Sequence, residues 1–263
     1  MTVGAPGCFY HRLGEVDGLS RFSSTDFTRS NWNREIQHGS PPLALLTKTV
    51  EEALAPGMRL GRLSMDLLGA VPVSEIGVRV WTERPGRRIC LMAAEMTDSS
   101  GRAVARLSAW ALTFSDTSDV ATDRHPPLIE GRTAALEWTW PESTGYLEAV
   151  QFRPQHGESA GATVYWMRPL AGLVDDEPTT ALQRLTMVVD SANGIGGVLD
   201  PERFVYMNTD TTLHLHRLPS GADFGVRARG SIGPDGIGVT TAEIFDANGF
   251  IGTSAQTLLV QSR

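Results

Sequence analysis

The two halves of this 263-residue chain repeat one order of predicted elements, and this repeat limits the possible folds more than any other feature. In each half, short strand-like runs precede one segment of helical spacing, and four strand-like runs follow it. The first helix is predicted to begin at Ser40, as its N-cap, and to end before Pro56, and the second covers residues 179–193. One helix followed by antiparallel strands is an α+β unit whose sheet must curl around the helix to bury its apolar face. Two such units can pair edge to edge, which removes one exposed sheet edge from each.

The repeat is visible residue by residue in two hairpin segments, MTDSSGRAVARLSAWAL and IFDANGFIGTSAQTLLV. Asp98 aligns with Asp246 and Gly101 with Gly249, at a common offset of 148 residues. In both segments the Asp starts a turn, and the Gly can adopt the positive φ that such a turn needs. The alternative is two unrelated hairpins that share a frequent turn motif. The matching order of elements around both segments favours two similar units.

The chain between the two units has the composition of a linker. Residues 116–133 have no hydrophobic period and are rich in Asp, Thr, Pro and Arg. We predict an N-terminal unit over residues 1–118, a linker over residues 119–137 and a C-terminal unit over residues 138–263. In the C-terminal unit, the runs that begin at Tyr146 and Ala162 are predicted as strands.

Charge and cysteine content exclude several classes of function. The formal net charge is -7, and Lys and Arg are scattered through the chain, so we expect neither a nucleic acid nor a membrane as partner. Cys8 and Cys90 lie far apart and form no disulfide or metal-ligand pattern. The N-terminus lacks the basic start and apolar run of a signal peptide, and no apolar stretch approaches the length of a membrane span. These features predict a cytoplasmic location.

The element order, together with the segments VVDSANG, NTDTTLHLHRLPSG and DANGFIGTSAQTLLV, resembles the double hot-dog thioesterases. Over nearly the whole chain, it is similar to the bacterial acyl-CoA thioesterase II group and its actinobacterial relatives. The resemblance implies a tandem (double) hot-dog fold, with two antiparallel sheets each wrapped around one long helix and joined edge to edge. It also implies hydrolysis of acyl-CoA, or of a related acyl thioester, by direct attack of water, with no cofactor and no metal. Hot-dog units usually associate through sheet edges, so a homo-oligomer is expected.

The resemblance implies a catalytic acid late in the second helix, and the tripeptide VVD places it at Asp190. A carboxylate beside a hydrophobic acyl tunnel can orient and deprotonate a water molecule for attack on a thioester carbonyl. Helical periodicity alone favours a different interpretation, because Asp190 lies well off the centre of the apolar face that contains Leu185 and Ala192. A solvated helix flank is therefore the alternative.

A hydroxyl-bearing residue and a glutamine complete the family's catalytic set. Counting back from Arg217, the hydroxyl position falls on Asn208, which departs from the pattern, and Thr209 stands next to it. Alternation along the strand puts Thr209 on the opposite face unless a bulge intervenes. Gln256 matches the glutamine, which can hold the attacking water against the carboxylate, and its equivalent in the first half is Ser108. The resemblance therefore implies one competent site, in the second half.

The segment QHGSPP, before the first helix, contains the candidate substrate-binding residues His38 and Gly39. Gly39 lets a substrate come close to the backbone, and free N–H groups at a helix N-terminus can polarise a carbonyl oxygen. Pro42 removes one of these donors. The same residues also make a good helix start, so a purely structural role stays open.

Two other enzyme or binding roles have some support in the sequence. GESAG, over residues 157–161, matches the nucleophile-elbow pattern and would make the protein a serine esterase that uses Ser159. An elbow must lie between a strand and a helix, whereas the strand-like ATVYWM follows this segment. His214 and His216 have the spacing of metal ligands on a strand, but no third ligand is recognisable. The departure at Asn208 leaves a non-catalytic acyl-thioester-binding module as a further alternative.

Overall fold

A computed structural model describes residues 7–128, 132–133, 145–156, 161–197 and 199–263. The strands of the first half are β1 (Cys8–Val16), β2 (Leu19–Ser24), β3 (Met58–Leu67), β4 (Glu75–Arg84), β5 (Ile89–Thr97) and β6 (Ala103–Thr113). Those that follow are β7 (Arg132–Thr133), β8 (Val150–His156), β9 (Thr163–Pro169), β10 (Gly172–Val174), β11 (Phe204–Asn208), β12 (Asp210–Leu215), β13 (Phe224–Ile232), β14 (Ile237–Asp246) and β15 (Gly249–Ser262). The α-helices are α1 (Ser40–Glu52), α2 (Tyr146–Ala149), α3 (Ala181–Thr186) and α4 (Ala192–Ile195). None of the helices in the described ranges is long and apolar enough to cross a membrane.

All of these strands belong to one continuous sheet, not to two. Outward from the centre, the strand order is β3, β6, β5, β4, β2, β1 on one side and β12, β15, β14, β13, β9, β8 on the other. The second half therefore repeats the strand order of the first. The expectation of two sheets is corrected because β3 and β12 pair along five consecutive residue positions, which joins the halves without a break.

The register at the centre of the sheet follows the sequence repeat. Ser64 lies opposite Thr212, and their hydroxyl oxygens are 2.9 Å apart. These two residues are 148 positions apart, which is also the offset between the two hairpin segments. A residue on a two-fold axis must face its own equivalent. The local two-fold axis between the halves therefore passes between Ser64 and Thr212.

The two hairpin turns that define the repeat have the expected geometry. Asp98 Oδ1 accepts a hydrogen bond from Ser100 N at 2.9 Å, and Asp246 Oδ1 accepts one from Asn248 N at 2.8 Å. The glycines that close the turns, Gly101 and Gly249, have φ values of 84° and 104°. Residues with a side chain rarely adopt this conformation, so the prediction of positive φ at both positions is confirmed.

Helix α1 is buried along nearly its whole length. Every residue from Ser40 to Val50 is buried, and the helix packs against β3, β4, β5 and β6. Its N-cap is Gly39, and no side chain caps this end, so the prediction of Ser40 as the N-cap is wrong. Pro41 and Pro42 explain why the helix starts earlier than predicted, because the fixed φ of proline suits the first turn of a helix.

The helix predicted over residues 179–193 is broken, which corrects the expectation of one long helix in each half. Helix α3 opens with a capping box between Thr180 and Gln183 and ends at Thr186. A 3-10 turn follows at Val189–Ser191, and α4 begins directly after it. The Thr186 hydroxyl donates back to carbonyl oxygens of the preceding turn, a pattern that bends helices. The helical period therefore stops before Asp190.

Glu177 connects the two halves through an ion-pair cluster. Its Oε1 atom is 2.5 Å from Arg12 Nε, and its Oε2 atom is 2.8 Å from Lys48 Nζ. The hydrogen bond from Arg12, supported by Lys48, lowers the pKa of Glu177 to about 2, although burial opposes this shift. A carboxylate whose pKa is lower in the folded state stabilises the protein above its ordinary pKa. That contribution disappears as the pH falls through the folded-state value.

We expect Glu177→Gln to lower the free energy of unfolding near neutral pH, with an effect that shrinks as the pH falls from its ordinary pKa of 4.5 toward 2. Urea unfolding of both proteins across this range measures the difference. Glu75, in an exposed pair with Arg21, provides the control, because Glu75→Gln should have little effect at any pH. An equal loss for Glu177→Gln at neutral and acidic pH would contradict this role of the ion pair.

Candidate active site

Asp190 lies in the 3-10 turn between α3 and α4, and it is only 2% exposed. Its Oδ1 atom accepts hydrogen bonds from Asn208 Nδ2 at 2.8 Å, Thr211 Oγ1 at 2.5 Å and Gln256 Nε2 at 3.3 Å. Its Oδ2 atom accepts none from the residues that the structure describes. The prediction from periodicity, that Asp190 lies on a solvated flank of a helix, is wrong because the helix ends before this residue. The carboxylate is instead buried, held through one oxygen and free at the other.

A β-bulge at Thr209 shapes the strand that faces Asp190. Strands β11 and β12 both pair with β15, with Asn208 opposite Leu258 but Thr212 opposite Ala255. Residues 208–212 therefore contain one residue more than residues 255–258, the stretch of β15 that they face. Such an extra residue reverses the alternation of side chains beyond it. Residues on the two sides of the bulge that would face apart in a regular strand now face the same way.

Because of the bulge, Asn208 and Thr211 both reach Asp190. Thr211 is fully buried and donates its hydroxyl proton to Asp190 Oδ1. Asn208 Nδ2 also lies 3.2 Å from Thr211 Oγ1. A hydroxyl group therefore stands beside the carboxylate, three residues beyond the position that the sequence comparison assigned to it. Sequence reasoning missed Thr211, and Asn208 is present in addition to the hydroxyl, not in its place.

Thr209 itself does not take part in this cluster. Its side chain is exposed, and its Oγ1 atom lies 3.3 Å from Asp210 Oδ1 and 3.4 Å from the Thr257 carbonyl oxygen. Of the two predicted alternatives, the structure therefore brings Asn208 to the carboxylate and leaves Thr209 at the surface.

Gln256 on β15 completes the cluster around Asp190. Its Nε2 atom lies 2.9 Å from the main-chain oxygen of Asp190 and 3.0 Å from Thr211 Oγ1. Its Oε1 atom is buried and has no hydrogen-bond partner within the described ranges. In the first half, Ser108 occupies the equivalent position and accepts a hydrogen bond from Arg62. The glutamine thus holds both the turn that carries Asp190 and the neighbouring hydroxyl.

Gly39, at the N-terminus of α1, lies against the free oxygen of Asp190. A Cβ atom at Gly39 would stand 2.3 Å from Asp190 Oδ2, so only glycine permits this approach. Pro41 and Pro42 have no N–H groups. Ser40 N donates its hydrogen bond to Nδ1 of the His38 ring. Gly39 N–H has no acceptor among the described contacts. It is therefore available to a ligand.

His38 is uncharged in this site. Burial lowers its pKa, and the nearby Asp190 offsets only part of that effect. His38 Nδ1 accepts a hydrogen bond from Ser40 N at 3.1 Å, so the ring proton resides on Nε2. The 3.8 Å distance between His38 Nδ1 and Asp190 Oδ2 consequently joins two acceptor atoms and is not an ion pair.

Tyr146 supports both helix ends at the site. Its ring stacks on His38 with centroids 3.8 Å apart. Its hydroxyl lies 2.7 Å from Ser191 Oγ, 3.0 Å from the Met187 carbonyl oxygen and 3.1 Å from Ser40 Oγ. The predicted strand at Tyr146 is corrected, because residues Tyr146–Ala149 form α2 and β8 starts only at Val150. This helical turn, capped at Gly145, directs the buried ring between the start of α1 and the break in the second helix.

Two cavities meet at the site. One, of about 310 Å³, is lined by the candidate residues Asp190 and Asn208. The other, of about 450 Å³, is lined mainly by aromatic and aliphatic side chains. Trp32, His38 and Asn193 line both cavities. A substrate that lies across this junction would therefore have one end in each cavity.

The remaining candidates do not join this site. Ser159 lies outside the described residues, and the elements on either side of its segment are both strands, β8 and β9. His214 faces Arg62 across the centre of the sheet, and the ring of His216 lies 5.6 Å from that of Phe250. In the part of the chain that the structure describes, no three His, Cys, Asp or Glu side chains are grouped as metal ligands.

Several solved structures have a similar fold. Acyl-CoA thioesterase II TesB2 from Mycobacterium marinum is 12% identical, with a TM-score of 0.69 over 97% of this chain and 95% of that one. The tesB protein of Mycobacterium avium subs paratuberculosis is 15% identical, with a TM-score of 0.67 over 96% and 95%. A hot-dog-fold protein from Alicyclobacillus acidocaldarius is 14% identical, with a TM-score of 0.72 over 95% and 96%. No curated protein matches the sequence. At these identities, the likenesses establish the hot-dog fold.

The chain has the hot-dog fold, with a buried carboxylate in the smaller of two adjoining cavities. Family models cover most of the chain: the acyl-CoA thioesterase N-terminal domain matches residues 28–112, and the acyl-CoA thioesterase C-terminal domain matches residues 116–260. The chain belongs to the acyl-CoA thioesterase family. It is a thioesterase, which hydrolyses acyl-CoA or a related acyl thioester to the free acid and the thiol.

Proposed function

We propose that the chain hydrolyses acyl-CoA esters with Asp190 as the general base for an attacking water molecule. The observation that carries this proposal is the unequal use of the two carboxylate oxygens. Oδ1 accepts hydrogen bonds from Asn208, Thr211 and Gln256, whereas Oδ2 has no partner among the described residues. A carboxylate that is fixed in orientation and free at one oxygen is suited to take a proton from water.

In the proposed reaction, water at Asp190 Oδ2 attacks the carbonyl carbon of the thioester and gives its proton to the carboxylate. A C–O bond forms, and the carbonyl oxygen becomes an oxyanion. Collapse of this intermediate breaks the C–S bond, and the proton on Asp190 passes to the departing sulfur. The products are one acid and one thiol, so the step needs no cofactor.

The donors proposed for the oxyanion are Gly39 N–H and His38 Nε2–H. Neither has an acceptor among the described contacts, and both residues line the cavity that contains Asp190. Preorganised donors stabilise the charge that develops on the oxygen. Because His38 is neutral, it can contribute this hydrogen bond without competing for the proton of the water.

Thr211, Asn208 and Gln256 are proposed as positioning residues. All three donate to Asp190 Oδ1, and Gln256 also binds the main chain of the same turn. A base held in this way keeps its free oxygen aimed at one point. The alternative of a non-catalytic binding module was based on the lack of a hydroxyl group at position 208. In the proposed site, Thr211 supplies that hydroxyl group.

We propose CoA as the carrier of the acyl group. We also propose that the protein is located in the cytoplasm and that it forms a homo-oligomer. The free cysteines Cys8 and Cys90 are consistent with a reducing compartment. Release of free thiol from acyl-CoA, compared with the same acyl group on an acyl carrier protein, tests the carrier. Faster hydrolysis of the carrier-protein ester would contradict the choice of CoA.

Thr211→Val should lower kcat/KM by roughly tenfold or more, because the carboxylate loses one of the hydrogen bonds to its Oδ1 atom and can shift away from its productive position. Thr209→Val is the matched control, since its exposed hydroxyl does not contact Asp190. We expect nearly wild-type activity for the control. If the two variants have equal activity, the assignment of the hydroxyl to Thr211 is wrong.

A further inference from the structure

We infer that Asn193 is a further catalytic residue, whose side-chain N–H group donates a hydrogen bond to the carbonyl oxygen of the thioester. Asn193 lies in α4, three residues after Asp190, and only 8% of its surface is exposed. The inference rests on the proposed thioesterase function and adds to it a substrate contact outside the set of residues that hold the base.

Hydrogen bonds fix the orientation of the Asn193 side-chain amide at both of its ends. Its Oδ1 atom accepts a hydrogen bond from Gly194 N at 2.7 Å. Its Nδ2 atom lies 3.4 Å from Asn208 Oδ1 and donates to it. The oxygen of the Asn208 amide faces Asn193 because its nitrogen is already directed at Asp190 Oδ1, 2.8 Å away.

One donor of the Asn193 amide stays available to a ligand. A side-chain amide carries two N–H groups, and the contact with Asn208 uses one of them. Among the residues that the structure describes, the second N–H group has no acceptor. A buried donor without an acceptor costs free energy, because it has lost its hydrogen bond to water. An acceptor atom of the substrate would restore that hydrogen bond.

Asn193 faces the junction of the two cavities. Together with Trp32 and His38, it lines both the 450 Å³ cavity and the 310 Å³ cavity. Asp190 lines the smaller cavity beside these residues. A substrate with one end in each cavity therefore brings its thioester group to the junction. Asn193 meets that group whichever of the two cavities takes the acyl chain.

The carbonyl oxygen is the substrate atom that best suits this donor. In the proposed reaction, the oxygen gains negative charge when water attacks, and side-chain amides placed at such an oxygen stabilise the charge. The thioester sulfur is a weaker acceptor. The proton stays on Asn193 Nδ2 throughout, so the residue assists His38 without competing with Asp190 for the proton of the water.

The experiment compares two CoA analogues that cannot be hydrolysed and that have alkyl chains of equal length. In the ketone analogue, a CH2 group replaces the sulfur atom and the carbonyl group is kept. In the S-alkyl thioether, the sulfur atom is kept and the carbonyl group is missing. Asn193→Ala should weaken binding of the ketone by about fivefold, the effect of one lost hydrogen bond, and leave the Kd of the thioether nearly unchanged. Isothermal titration calorimetry measures both Kd values.

A second variant and a control accompany this comparison. Asn193→Leu keeps most of the side-chain volume and removes every donor, so no water molecule can take the place of the lost amide, and it should give the same difference between ketone and thioether. Asn248→Ala removes an amide that is exposed in a hairpin turn and lines neither cavity. The control should change neither Kd. Thermal unfolding verifies that each variant is folded.

Turnover gives a further measure of the same contact. Asn193→Ala should lower kcat for acyl-CoA hydrolysis by roughly tenfold or more, because the hydrogen bond strengthens as charge develops on the oxygen. Equal weakening of ketone and thioether would overturn the inference, since Asn193 would then only shape the cavity or orient Asn208. Unchanged binding of both analogues would overturn it as well.

The two binding measurements separate this inference from the proposed function, because neither depends on hydrolysis. If the wild-type protein hydrolysed no acyl-CoA but Asn193→Ala selectively weakened the ketone, the proposed reaction would fail and the contact with the carbonyl group would stand. If hydrolysis occurred and the variant did not distinguish the two analogues, the proposed reaction would stand and the role of Asn193 would fail.

Discussion

Asp190→Asn is expected to lower kcat for acyl-CoA hydrolysis by about a hundredfold or more, because an amide cannot take the proton of the attacking water. The amide has nearly the same shape as the carboxylate, and its oxygen can still accept from Asn208 and Thr211. We therefore expect the fold to be retained and KM to change much less than kcat. Steady-state kinetics with thiol detection, together with thermal unfolding, measures both quantities.

The matched control for this charge removal is Asp66→Asn. Asp66 is exposed on β3, at the centre of the sheet and outside the cavity that contains Asp190. Its variant should keep wild-type kinetics. Retention of wild-type kcat in Asp190→Asn would exclude Asp190 as the general base, whereas a large loss in both variants would point to an effect of net charge.

Gly39→Ala is expected to cause the second large loss, of roughly a hundredfold in kcat/KM, through displacement of the same carboxylate. The added Cβ atom would stand 2.3 Å from Asp190 Oδ2 and 2.8 Å from its Cγ atom. The φ and ψ of Gly39, -67° and -25°, are those of an ordinary helical residue, so alanine suits the backbone itself. The conflict therefore lies with the carboxylate, and it moves Asp190 Oδ2 away from the water.

Gly172→Ala provides the control for a glycine-to-alanine change. A Cβ atom at Gly172, on β10, would have no neighbour closer than 3.9 Å. That variant should retain full activity and stability. For Gly39→Ala we expect a loss of activity that is much larger than any loss in thermal stability. Full activity in Gly39→Ala would show that the Gly39 contact does not position the base.

Many elements of the fold were predictable from the sequence because they depend on local chemistry. The turns at Asp98 and Asp246 need a side-chain acceptor and a glycine, and both requirements are legible in DSSG and DANG. The alternation of apolar residues likewise predicted the strands that became β3 to β6. The register between the halves was implicit in the 148-residue offset, which the Ser64 and Thr212 pair reproduces.

The second helix shows where local reasoning failed. Its apolar residues keep helical spacing through residues 179–193, but α3 ends at Thr186. The groups that hold the break come from elsewhere in the chain: the Tyr146 hydroxyl binds the Met187 carbonyl oxygen, and Gln256 binds that of Asp190. Such distant partners leave no trace in the period of one segment. For this reason periodicity placed Asp190 on a solvated flank.

The sequence by itself determined the repeat, the hairpin turns, the family resemblance and three members of the polar cluster, Asp190, Asn208 and Gln256. Only the tertiary structure decided that Thr211, and not Thr209, supplies the hydroxyl beside the carboxylate. The physical reason is that a bulge is a relation between two strands. The extra residue at Thr209 becomes visible only when β11 and β12 are counted against β15. Alternation within the single segment contains no information about that count.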